Sequence, residues 1–178
     1  MSPRVCCNPP VVGGVNEGMG NRVAPAHAGT TFEGFYRCEW GDAVRLAHLL
    51  TGVDAVAEDL AQEAFAGVQR RWASVDNPPA YLRTTLVNMC RSWLRSRGRE
   101  QRRVRLVTTR ADEAQALGAD ELLDAVDALP FRQRAVLVLR YYGDLSEQEI
   151  ADALGCRPGT VKSLASRALD QLRTVIDR

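Results

Sequence analysis

At 178 residues and 46% apolar composition, the chain can bury one sizeable core or two small ones. No apolar run approaches the roughly 18 residues a bilayer span needs. Five cysteines without a C-x-x-C pair, and only two histidines, offer neither a zinc site nor a disulfide framework, so no metal or cofactor is expected.

The formal net charge of +1 conceals a segregation. From Tyr81 to Arg105 eight arginines stand against Glu100, a local balance of +7. From Ala111 to Pro130 six acids stand without a base, giving −6. A basic block is the electrostatic footprint of a nucleic-acid binder.

Residues 1–29 are rich in Gly, Pro and small side chains and show no periodicity; they are expected to be a disordered tail. Asn8, Pro9 and Pro10 interrupt the stretch after Arg4, so it makes no signal peptide, and a cytoplasmic location is expected. Met19 is a second candidate initiator, and Cys6 and Cys7 suggest no definite role.

A first helix is expected from Phe32 to Leu50, opened by a capping box of Thr30 and Glu33 and broken by Gly52. A second, from about Asp54 to Trp72, carries Val56, Leu60, Ala64, Val68 and Trp72 at steps of four. Its other side holds Glu58, Asp59, Gln62, Glu63, Gln69, Arg70 and Arg71. That side is either a solvated face or a docking surface for another protein. Asp76, Asn77 and the paired prolines 78 and 79 form a loop that delays the third helix to about Ala80–Arg97. On that helix Leu82, Leu86, Met89 and Trp93 share one face, and Thr84, Asn88, Arg91 and Arg95 the other. Arginines clamp phosphates, while Asn and Thr can hydrogen-bond bases or backbone.

From Gly98 to Gly118 no helical period persists, and a linker is expected. Helices over Asp120–Ala128 and Pro130–Tyr142 then lead into two more, joined by a short turn. Ser146 and Glu149 make a capping box, Ile150, Ala151 and Leu154 an apolar stripe, Gly155 a left-handed stop, and Pro158 a new first turn. In the last helix Val161, Leu164, Ala165, Ala168 and Leu172 fall on one side. Ser163, Ser166, Arg167 and Asp170 fall opposite, with Lys162 on the flank. Such a helix suits the major groove, although an ordinary helical hairpin shows the same pattern.

The expected fold class is all-α: two small helical domains over residues 30–98 and 120–178, joined by a flexible acidic linker at 99–119. AEDLAQEAF (57–65), YLRTTLVNMCRSWLR (81–95), LPFRQRAVLVLRYYGDLSEQEIADALGC (129–156) and GTVKSLASRALDQLR (159–173) carry a resemblance, in order, to the sigma-70 family. The chain resembles its extracytoplasmic-function group, which keeps only the domains called sigma-2 and sigma-4, and the wording is nearest a sigma-E-like subgroup. The resemblance implies a sigma factor that binds core RNA polymerase and directs initiation at −35 and −10 elements. It implies that Asp59, Gln62 and Glu63 dock the β′ clamp helices and that the second domain meets the β flap. Asp76, Asn77, Thr84, Asn88, Arg91 and Arg95 would handle the opened −10 strand. Arg157, Thr160, Lys162, Ser163, Ser166 and Arg167 would contact the −35 element. The acidic linker would pass through the polymerase cleft, and an anti-sigma factor is a further partner the family admits. Arg157 departs from the small capping residue usual in the family, and guanidinium cannot accept a bond from helix amides.

The rival reading is a self-sufficient helix-turn-helix regulator that binds an operator as a dimer. The basic third helix, and the absence of a dimerising heptad, count against it. No catalytic constellation is visible, so no enzyme is expected.

Overall fold

The computed structural model describes residues 30–105 and 125–176. The expected tail and most of the expected linker lie outside the described residues. Everything regular among the described residues is helical.

Helix α1 spans Phe32–Thr51. Thr31, not Thr30, is its N-cap, accepting from the Gly34 N–H at 3.2 Å, while Glu33 pairs with Arg37 instead of closing a box. Gly52 ends the helix in the left-handed conformation (φ 71°), its N–H donating to the His48 carbonyl. Helix α2 spans Asp54–Arg70, and a single 3-10 turn, Trp72–Ser74, follows it. Its buried residues are Ala57, Ala61, Ala64, Phe65 and Val68, with Val56 and Leu60 only half-buried. The stripe is rotated toward the small side chains because alanines let α1 and α2 approach closely. Phe65 closes one end under the rings of Phe35, Tyr36 and Trp40.

Helix α3 spans Pro78–Arg105, longer than expected at both ends. The prolines start the helix instead of delaying it, since their missing N–H groups belong to the first turn, where amides have no helical partner. Asn77 caps it: its side-chain oxygen accepts from the Ala80 N–H at 3.0 Å. The helix also runs through Gly98 to Arg105, where a linker was expected. Arg, Gln and Glu are good helix formers, and their lack of apolar period does not prevent it.

A helical turn at residues 125–128 leads into α4, Phe131–Leu137, which opens without a break into a π-helical turn, Val138–Tyr142. Helix α5 spans Glu147–Leu154 and α6 spans Pro158–Ile176. The expected capping box is formed in full, and Gly155 stops α5 with φ 58°. Leu129, Leu137, Ala168 and Leu172 make a small core of their own between α4 and α6.

The two halves also pack on each other. On α3 the buried residues Leu82, Leu86, Val87 and Cys90 cover an arc of about 140° at 100° per residue. That is wider than one neighbouring layer requires. Helix α3 packs on α1 and α2, and also on α5, while α1 meets α4 and its π-turn. One apolar cluster runs from Phe35 and Phe65 through Val87 to Leu139, Ile150 and Val161.

Candidate nucleic-acid and polymerase-docking surfaces

Three groups of polar residues stand out on the surface. The first is on α2, where Asp59, Gln62 and Glu63 are all exposed opposite the buried alanines. Two carboxylates and an amide at helical spacing make an acidic, hydrogen-bonding strip on a rigid element. None of the three has a charge partner that would neutralise the strip among the described ion pairs.

The second group lies on α3. Asn88 and Arg95 are exposed, Thr84 and Arg91 half-buried. Burial, then Arg95, then Arg132 at the start of α4 push the Arg91 guanidinium below its ordinary value. Three cations therefore converge on one edge of α3, one of them from the other half of the chain. None of the three pairs with a carboxylate among the described ion pairs, and Arg132 donates to the Leu154 carbonyl at 3.4 Å; guanidiniums of this kind suit phosphate. Of the loop residues, Asp76 is exposed and open to a ligand. Asn77 is also exposed, but its carbonyl oxygen is committed to capping α3. Only its amide N–H groups remain to donate outward.

The third group is on α6. Arg157, Lys162, Ser166 and Arg167 are exposed, with Thr160 and Ser163 half-buried. Arg157 occupies the N-cap position: its carbonyl accepts from the N–H groups of Thr160 (2.8 Å) and Val161 (3.3 Å). Its side chain supplies no cap, which leaves the guanidinium beside the positive end of the helix, a place suited to an anion. Lys162 lies 3.5 Å from Glu147 across the turn, so an incoming phosphate would compete with that carboxylate. The Ser163 hydroxyl donates to the Thr160 carbonyl at 3.0 Å and keeps only its acceptor capacity for a base. Buried Ile150, Ala151, Val161 and Ala165 hold α5 and α6 at a fixed angle, so the exposed side of α6 is presented rigidly.

Sequence reasoning missed Arg134. Only 7% exposed, it donates to the Leu50 carbonyl at the end of α1 (3.0 Å) and to the Asp127 carbonyl, and pairs with the Asp127 carboxylate at 3.1 Å. Burial pushes its guanidinium below the ordinary value, partly offset by Asp127. Its spacing in the sequence matches the polar side of α4; only packing against the end of α1, in the first half of the molecule, turns that side inward. No helix among the described residues is long and apolar enough to cross a membrane.

Comparison with known proteins agrees with this layout. Residues 35–100 match the model for sigma-70 region 2, and residues 119–172 match that for sigma-70 region 4. The RNA polymerase sigma-E factor of Streptomyces coelicolor is 36% identical over 148 residues, covering 80% of this chain and 84% of the relative. That of Streptomyces avermitilis is 34% identical over 152 residues, covering 82% and 85%. Among solved structures, the sigma factor RpoE of Bartonella quintana, in complex with the anti-sigma factor NepR, is similar with a TM-score of 0.68 at 26% identity. The likeness covers 82% of this chain and 96% of that one. With region 2 and region 4 in order, and relatives matched over most of their length, the chain belongs to the sigma-70 family as an extracytoplasmic-function RNA polymerase sigma factor.

Proposed function

We propose that the three surfaces divide the work of a dissociable polymerase subunit. Asp59, Gln62 and Glu63 dock the β′ clamp helices, and the α4–α6 unit meets the β flap. The Thr84–Arg95 strip, with Asp76 and the amide of Asn77, holds the opened −10 strand. Extruding a base from the stack costs a few kcal/mol, and phosphates held by Arg91 and Arg95 offset that cost. Arg157, Thr160, Lys162, Ser163, Ser166 and Arg167 read the −35 element from the major groove. An anti-sigma factor is a further partner, by analogy with the RpoE complex. The boundaries of the two domains follow residues 30–98 and 120–178, with α3 reaching into the connecting segment.

The observation that carries this reading is the presence of two cationic faces on separate halves, α3 and α6, in a chain with the family's two regions. Its test is transcription in vitro with core polymerase and a library of genomic fragments. Initiation at sites sharing a −35/−10 pair is expected only when both proteins are present. Robust binding to duplex DNA by the chain alone, with no transcription on adding core, would overturn it and restore the operator-binding regulator.

A further inference from the structure

Two cations share one carboxylate where the π-turn, α5 and α6 meet. Glu147, the first residue of α5, divides its oxygens between them: Oε1 lies 3.3 Å from Arg140 of the π-turn, and Oε2 lies 3.5 Å from Lys162 of α6. The Ser146 capping box fixes the backbone beside Glu147, and Arg140 holds the carboxylate against following Lys162 outward. Lys162 is the only lysine among the 23 basic residues, and its side chain is 68% exposed. An exposed ion pair of this kind adds little to stability. Its consequence lies in where the ammonium can go.

On the function proposed above, that consequence is specificity. A lysine is a compact charge on a flexible stem, and unrestrained it reaches the phosphates of any duplex. Phosphate contacts position a protein without reading sequence, whereas a lysine in the major groove can donate to guanine O6 and N7. Lys162 stands in the first half of α6, the part of a recognition helix that meets base edges. We propose that Glu147 is a positioning residue that sets specificity: it keeps Lys162 off the phosphates and reserves that ammonium for one base pair of the −35 element. A phosphate approaching Lys162 also meets the Glu147 carboxylate, and like charges cancel the gain. A base edge carries no such charge. The ammonium has three N–H donors, so it can keep its carboxylate and still donate to the base.

The test combines Glu147→Gln and Lys162→Met in the full chain. On random-sequence duplex, Glu147→Gln should steepen the log–log salt dependence of binding by about 0.9, the mark of one further phosphate contact. Adding Lys162→Met to it should cancel that gain, whereas Lys162→Met alone should leave the salt slope of the parent. With core polymerase, initiation is then compared on a promoter from the fragment library and on copies with each −35 base pair replaced in turn. Both single variants should lose about tenfold in discrimination at the same base pair, and keep it at the others. Thermal midpoints should stay with the parent, since a purely structural pair would move those instead. A parental salt slope in Glu147→Gln, or full discrimination in either single variant, would overturn the assignment and leave an ordinary surface ion pair. Absence of transcription from every form counts against the proposed function, while the random-duplex arm still decides whether Glu147 restrains Lys162.

Discussion

Ser146 and Glu149 show how one residue pair governs both a helix start and a pH response. The Ser146 hydroxyl and N–H hold the Glu149 carboxyl below the usual carboxylate range. A depressed carboxyl contributes stability that is present above its unfolded value and lost as pH falls through the folded one. Ser146→Ala should therefore cost about 1 kcal/mol in urea denaturation at neutral pH. That difference should shrink, leaving the pH-independent cap bond from the Glu149 N–H to the Ser146 hydroxyl, once the pH drops below the carboxylate range; an equal cost at both ends would refute the coupling. On α3, Arg91→Ala and Arg95→Ala should each lower promoter opening, read by permanganate footprinting, about tenfold. Binding to core polymerase should change far less, and equal losses in both would remove that strip from the −10 assignment.

At the scale of elements, the π-turn is the least forgiving piece. Gly143 donates to the Val138 carbonyl at 3.1 Å, and a Cβ there would meet the Leu139 carbonyl oxygen at 2.6 Å. Gly143→Ala must push backbone apart, so a loss of about 2 kcal/mol is expected, with a matching fall in thermal midpoint. A midpoint within error of the parent would mean that the turn relaxes freely. Helices were legible where amphipathic period and caps agreed: α5 and α6 follow from Ser146, Gly155 and Pro158 alone. Three features were not legible. The polar end of α3 has no buried face to announce it, and the alanine stripe of α2 is outweighed in the sequence by larger Val56 and Leu60. The π-turn leaves no local mark beyond Gly143.

For the whole molecule, the candidate surfaces were readable as charge and period, since exposed polar residues follow from the helical repeat. The seam between the halves was not. Arg134 sits 84 residues from the carbonyl it binds, and no local pattern encodes such a pairing. One buried thiol reports when α3 leaves its neighbours. Cys90 is 0% exposed on α3, and burial pushes it up to about 12. Buried and raised in this way, the thiol is shielded and seldom ionised at neutral pH, so an alkylating reagent must wait for α3 to leave its neighbours. Trapping with iodoacetamide, followed by mass spectrometry, should find Cys90 untouched in the folded chain and modified once urea unfolds it; modification in the folded chain would mean that α3 opens readily. Exposed Cys38 reacts in either case and serves as the internal clock.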